Sequence, residues 1–229
     1  MSIHLFFDIL SYAAAFFISY RWIRPPAPYI TDETLRYGYY AVLILGFTIG
    51  AFGLGTFNAY YSTGQFVIGK SLLGAIFGGV VAAEVFKRFA NIKGSTGAYF
   101  VPSLSIGIVI GRIGCYMAGI EDYTYGIETT TVFGHNFGDG VLRHPVQLYE
   151  SMAMGLFFLY SVWLYYNHKK TFEHTIFYQF IGYYSLQRFV WEFLKPYQSL
   201  VFGLSVFQII CLILMIYALV YIKSEREKA

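Results

Sequence analysis

Seven apolar runs of about 20 residues decide what this chain can become. They fall at roughly 3–21, 38–57, 67–86, 99–118, 147–166, 175–194 and 201–222. A bilayer core about 30 Å thick takes about 20 helical residues to cross. Water is absent there, so each backbone N–H and C=O must be satisfied within its own segment, and such runs become helices. Of the 229 residues, 57% are hydrophobic and 13% charged, against about 25% charged in ordinary soluble domains. The chain therefore reads as an all-α integral membrane protein. The links between runs are short, except the stretch at about 119–146. No soluble domain, internal repeat or low-complexity tail stands out, so 1–229 reads as a single transmembrane domain.

The net charge of +3 is too small to argue for nucleic acid. Cys115 and Cys211 lie in different apolar runs, which is neither a disulfide framework nor a zinc pattern. No metal or cofactor is implied. The first run begins at Ile3 without a basic stretch before it, so it reads as a retained helix rather than a cleaved leader. Pro25, Pro26 and Pro28 close that run and keep the following link extended. Basic residues set orientation. Arg21 and Arg24 follow the first run; Lys87, Arg88 and Lys93 the third; Lys169 and Lys170 the fifth; Lys223, Arg226 and Lys228 the last. With seven crossings all four clusters share one side, which puts the N-terminus outside and the C-terminus in the cytoplasm. The 119–146 link is then external, with Glu121, Asp122, Glu128 and Asp139 against Arg143.

Charges inside these runs are the candidates for function. Arg188-Phe-Val-Trp-Glu192 places a cation and an anion four residues apart, on one helix face with Tyr184. A charge at the bilayer centre is expensive, about 2.5–3.5 kcal/mol on insertion scales, and marks a functional site by default. A structural ion pair tying two helices together is the alternative. Arg112, flanked by Gly111 and Gly114, reads either as a two-pronged phosphate donor or as a residue snorkelling to the headgroups. His144-Pro-Val-Gln-Leu-Tyr-Glu150 opens the fifth run. Gln147 and Glu150 share a helix face there, and Glu150, about one turn inside, needs a partner; Arg112 and Arg188 are the natural ones. Lys70 and Ser71 open the third run and read as a headgroup contact or, for Lys70, a snorkelling lysine. Gly74, Gly78 and Gly79 follow as a small-residue face suited to close packing. Glu84 reads as structural.

Taken together these stretches resemble the bacterial phosphatidylglycerol–prolipoprotein diacylglyceryl transferase family. His144-Pro-Val-Gln-Leu-Tyr-Glu150 is similar to the family's histidine-proline-serine-glutamine-leucine-tyrosine-glutamate motif. Gly111-Arg-Ile-Gly-Cys-Tyr116 resembles its glycine-arginine-isoleucine-glycine-asparagine-phenylalanine signature. Leu35-Arg-Tyr-Gly-Tyr-Tyr40, Lys70-Ser-Leu-Leu-Gly-Ala75, Tyr184 through Glu192 and Gly203-Leu-Ser-Val-Phe-Gln208 resemble further family segments in order. The resemblance implies transfer of diacylglyceryl from phosphatidylglycerol to the lipobox cysteine of a preprolipoprotein signal peptide, at the outer leaflet of the bacterial inner membrane. By matched position, Arg112 would bind the phosphate and Arg188 would stabilise the leaving group. Glu150 and Glu192 would orient the arginines, and Tyr37 would line the lipid site.

Two positions depart from the family pattern. Leu73 stands where the family has a histidine, and Cys115 where it has an asparagine. Any acceptor for the thiol proton must then come from elsewhere: His144 is the expected one, with Glu121 or Asp122 in reserve. Three functions compete: the transferase, to this or another acceptor; a non-enzymatic lipid-binding or scaffold protein on the same fold; and a small transporter with an Arg–Glu relay. The last lacks the repeats and paired broken helices that transporters use.

Overall fold

The computed structural model describes residues 3–26 and 29–226. Pro28 and Lys228 lie outside the described residues. The chain is mostly helical. Helices α1 (Ile3–Phe17), α2 (Glu33–Thr63), α3 (Leu72–Phe89), α4 (Val101–Ala118), α5 (Val146–Asn167), α6 (Lys169–Glu192) and α7 (Val206–Arg226) each coincide with one apolar run. Four helical stretches among the described residues are long and apolar enough to cross a membrane: Ile3–Trp22, Glu33–Ser62, Ala98–Asp122 and Val206–Glu225. Charged residues also lie in the other three: Glu84, Lys87 and Arg88 in α3, Glu150 in α5, and Lys169, Lys170, Glu173, Arg188 and Glu192 in α6. The protein is a multi-pass membrane protein. Among the described residues the paired strands lie in the 119–146 link, where β1 (His135–Asn136) pairs antiparallel with β2 (Leu142–Arg143) and Asp139 bridges Arg143 at 2.6 Å.

The chain divides into two compact units. The first comprises residues 1–25, 95–196 and 211–229. Within it α1 packs on α4, α4 on α5, and α5 on α6. Small polar bonds fix the register: Ser11 Oγ donates to Gly107 O at 2.8 Å, Ser151 Oγ to Val109 O at 3.1 Å, and the Tyr183 hydroxyl to Ala153 O at 3.1 Å. In apolar surroundings such bonds have little competition from water, and they select one sliding position of helix on helix. Phe157 stacks on Tyr183, Phe180 on Tyr184, and Tyr178 on Tyr221 of α7.

The second unit comprises residues 26–94 and 197–210. Its centre is the antiparallel α2–α3 hairpin. A Cβ built on Gly78 would come within 2.1 Å of Gly46 O, and one on Gly74 within 2.2 Å of Gly50 O. The helix backbones touch, so the small-residue face read in α3 meets a matching one in α2. Ser71 caps α3, its Oγ accepting the Gly74 N–H at 3.1 Å; Asp32 caps α2 through Leu35 N–H at 2.8 Å. Glu84 and Lys87 pair at 2.9 Å one turn apart, a structural use of Glu84. Ile30, Tyr39 and Ala83 form a small core at the other end of the hairpin.

Candidate active site

The first unit gathers its buried charges at one end of the α4–α5–α6 layer. Arg112 comes from the second half of α4, Glu150 from the second turn of α5, and Arg188 and Glu192 from the last turns of α6. The Ser151–Val109 bond sits beside Glu150 and one turn before Arg112, so it holds these two side chains at one level. The Glu150 carboxylate is the hub. Its Oε2 lies 2.5 Å from Arg112 Nε, its Oε1 2.5 Å from Arg188 Nη1 and 3.0 Å from Lys195 Nζ. Arg188 Nη2 lies 2.9 Å from Glu192 Oε2. Glu150 is 1% exposed and the Lys195 side chain fully enclosed.

Among the described residues three cations thus face two anions, an excess of one positive charge in a largely buried cluster. That charge imbalance is costly in the free protein and favourable to an incoming anion. Lys195 follows the end of α6. Burial, and then the positive charge of Arg188, push its ammonium down to about 8.

Other polar groups sit beside the cluster. Gln147, one turn before Glu150, is fully buried, and neither of its amide atoms has a hydrogen-bond partner among the described residues. The Tyr184 hydroxyl, 1% exposed, is likewise unpaired and within electrostatic reach of Arg112, Arg188 and Glu150. An unsatisfied buried polar group costs about 1–3 kcal/mol, a penalty that a polar ligand relieves. Gly111 faces open space beside Arg112, whereas Gly114 packs on Phe7. Cys115, in the asparagine position, lies within electrostatic reach of Asp122 and Arg112. Asp122 also meets His4 at 3.2 Å.

His144 stands just before α5, its ring Nδ1 3.2 Å from the Tyr149 hydroxyl. The Tyr149 ring in turn packs on Trp191 of α6.

Of the ten residues singled out in the sequence, the first unit brings Arg112, Glu150, Arg188 and Glu192 into one ion cluster, with Gln147 and Tyr184 against it and His144 at the head of α5. Tyr37, Lys70 and Ser71 belong to the second unit and do not come together there. Tyr37 lies near the start of α2, where the next residue, Gly38, packs against Phe86 near the end of α3; Lys70 precedes α3, next to Gly69, whose backbone passes close to Gly55 of α2. They occupy opposite ends of the hairpin. Tyr37 is exposed; Lys70 lies over the Phe52 ring at 5.6 Å; the Ser71 hydroxyl serves as the helix cap. Lys195 is the member the sequence reading passed over. It stands outside the apolar run, beside Pro196, and looks like a loop cation until the fold buries it.

A sequence profile of the prolipoprotein diacylglyceryl transferase family matches residues 7–223. Among similar proteins, a phosphatidylglycerol–prolipoprotein diacylglyceryl transferase of Campylobacter jejuni is 34% identical over 180 residues, covering 75% of this chain and 64% of its own length. Those of Campylobacter curvus and Campylobacter hominis are each 30% identical, over 165 and 173 residues, covering 69% and 70% of this chain and 59% and 58% of theirs. The chain thus spans less than two thirds of the length of these relatives. No solved structure matches it significantly. A match across nearly the whole chain, on a helical fold with Arg112 and Arg188 gathered on the Glu150 carboxylate, places the chain in the prolipoprotein diacylglyceryl transferase family.

Proposed function

We propose that this protein transfers the diacylglyceryl group of phosphatidylglycerol to an acceptor thiol, that of a preprolipoprotein lipobox cysteine, at the outer leaflet of the bacterial inner membrane. One observation carries the reading: Glu150 holds guanidinium groups from two different helices, with a third cation, in a buried site of net positive charge. Such a site suits a phosphate whose ester bond is to be broken.

The acceptor thiolate attacks the phosphate-bearing carbon of the diacylated glycerol and forms a C–S bond there. The C–O bond breaks, and its electron pair leaves on the phosphate oxygen of glycerol phosphate. Charge on that group rises from one to two negatives, and fixed donors in a water-poor site stabilise the increase without reorganising. Arg112 binds the phosphate and Arg188 meets the developing charge. Glu150 and Glu192 hold the two arginines at fixed angles, since a guanidinium fork is directional. The Gln147 amide and Tyr184 hydroxyl supply further polar contacts to substrate. Lys70 and Ser71 contact headgroups at their end of the α2–α3 hairpin, and Tyr37 contacts lipid at the other. The thiol must lose its proton to react, and His144, at the head of α5, accepts it. The signal peptide of the acceptor is the protein partner. The topology proposed with this reading has seven crossings, N-terminus outside and C-terminus in the cytoplasm, with 1–229 working as one transmembrane domain.

Leu73, buried at 2% exposure where the family has its histidine, favours a second reading in which the protein binds phosphatidylglycerol without turnover. Complementation of a transferase-depleted bacterium separates the two. The transferase reading predicts restored growth and lipoproteins that carry the diacylglyceryl mass. Unmodified lipoproteins alongside copurifying phosphatidylglycerol would select the binding reading.

A further inference from the structure

We propose that Lys195 sets the net charge of the phosphate site, so that the site captures an anion only while this lysine is protonated. This rests on the phosphate-site reading, and it names a residue and a regulation that the arginine motifs do not contain. The geometry is specific. The Lys195 side chain is fully enclosed, and its Nζ meets Glu150 Oε1 at 3.0 Å, the same oxygen that Arg188 Nη1 meets at 2.5 Å.

Among the described residues, the charged groups facing Lys195 include Arg112 from α4, Glu150 from α5, and Arg188 and Glu192 from α6. Cys211 of α7 lies within electrostatic reach of the same Arg188, Glu150 and Glu192. The link segment bonded next door, Ile127 N–H to Leu194 O at 2.7 Å, brings no charge at that residue.

Two of the three cations are arginines, which do not lose their protons in proteins. Lysine does so readily when buried. With Lys195 charged, three cations outnumber two carboxylates and the cluster attracts a phosphate. With Lys195 neutral, charges balance, and the attraction for an anion is lost. Burial, together with the crowding by Arg188, already brings its titration to about 8. Phosphatidylglycerol's own phosphodiester stays a monoanion throughout this range, so a pH dependence of its binding reports the protein and not the ligand.

The test is calorimetric titration of the full chain in neutral detergent with dihexanoyl phosphatidylglycerol, from pH 7 to pH 9.5. If binding requires the protonated form and the midpoint is about 8, wild-type affinity falls by up to about 30-fold over this interval. Lys195→Arg stays charged and is expected to hold its affinity within about threefold. Lys195→Met is expected to bind at every pH as weakly as wild type does at pH 9.5, which gives a second arm if the arginine variant does not fold. A wild-type affinity independent of pH, or a Lys195→Arg curve that falls as wild type does, overturns the proposal. Absence of any wild-type binding at pH 7 overturns the phosphate-site reading itself.

Discussion

Converting Glu150 to glutamine tests the cluster most severely, because one carboxylate there serves three cations. Glu150→Gln keeps the shape and removes the charge. Arg112 loses the carboxylate charge at 2.5 Å, Lys195 loses it at 3.0 Å, and Arg188 is left with Glu192 at 2.9 Å. The excess positive charge doubles in a region closed to water. Breaking a buried ion pair by removing one partner costs about 3–5 kcal/mol. At about 2–4 °C per kcal/mol for a chain of this size, the melting temperature should fall by roughly 6–20 °C. Glu192→Gln, which leaves Arg188 still on Glu150, should lose no more than about half as much. The double variant Glu150→Gln/Lys195→Met restores the original charge balance and should recover several degrees, a coupling that a double-mutant cycle isolates. The assay is thermal unfolding of purified protein in detergent, followed by tryptophan fluorescence. A Glu150→Gln protein that melts within about 2 °C of wild type would refute the reasoning. So would equal damage from the two single changes.

Three further outcomes are expected. Gly78→Ala drives a methyl into the Gly46 carbonyl at 2.1 Å and should destabilise by about 1–3 kcal/mol, whereas Gly53→Ala, with open space around it, should be neutral or slightly stabilising; comparable melting of both variants would show that the helices do not touch as described. Ser71→Ala should cost about 1 kcal/mol by removing the cap on α3, while Ser71→Asp, also a capping residue, should keep most of it. In a background lacking Cys115 and Cys211, Asp139→Cys should react with an impermeant thiol reagent on intact cells and His168→Cys should not; equal labelling at both would overturn the orientation.

The helices were legible because apolar runs of bilayer length admit few other structures, and each run holds one. The cluster was legible in part for the same reason. Arg112, Glu150, Arg188 and Glu192 interrupt apolar sequence, where a charge is expensive enough to demand a partner. Arg112 and Arg188 read as the natural partners of Glu150, but their spacing does not say whether one or both reach it, because that depends on how Ser151 and Tyr183 lock the registers of three helices. Lys195 escaped for a different reason. A lysine next to a proline after an apolar run has the same local pattern whether it ends in water or beneath a carboxylate. The glycines of α3 were read as a packing face; the matching Gly46 and Gly50 in α2 were not, since two faces become one contact only once the hairpin closes. Ser71 shows the opposite limit: adjacent to a lysine it suggests a headgroup contact, and its oxygen also accepts the Gly74 N–H as the cap of α3.

The central claim, that the Arg112–Glu150–Arg188 site transfers diacylglyceryl from phosphatidylglycerol to a thiol, is tested most directly with purified protein in nanodiscs. Phosphatidylglycerol labelled in its acyl chains and a lipobox peptide are supplied together, and products are read by mass spectrometry. The account predicts a peptide heavier by one diacylglyceryl group, with glycerol phosphate released in equal amount, and loss of both in Arg112→Ala and Arg188→Ala. Transfer that proceeds at the wild-type rate in both arginine variants, or a wild-type protein that retains phosphatidylglycerol and releases no glycerol phosphate, would contradict it.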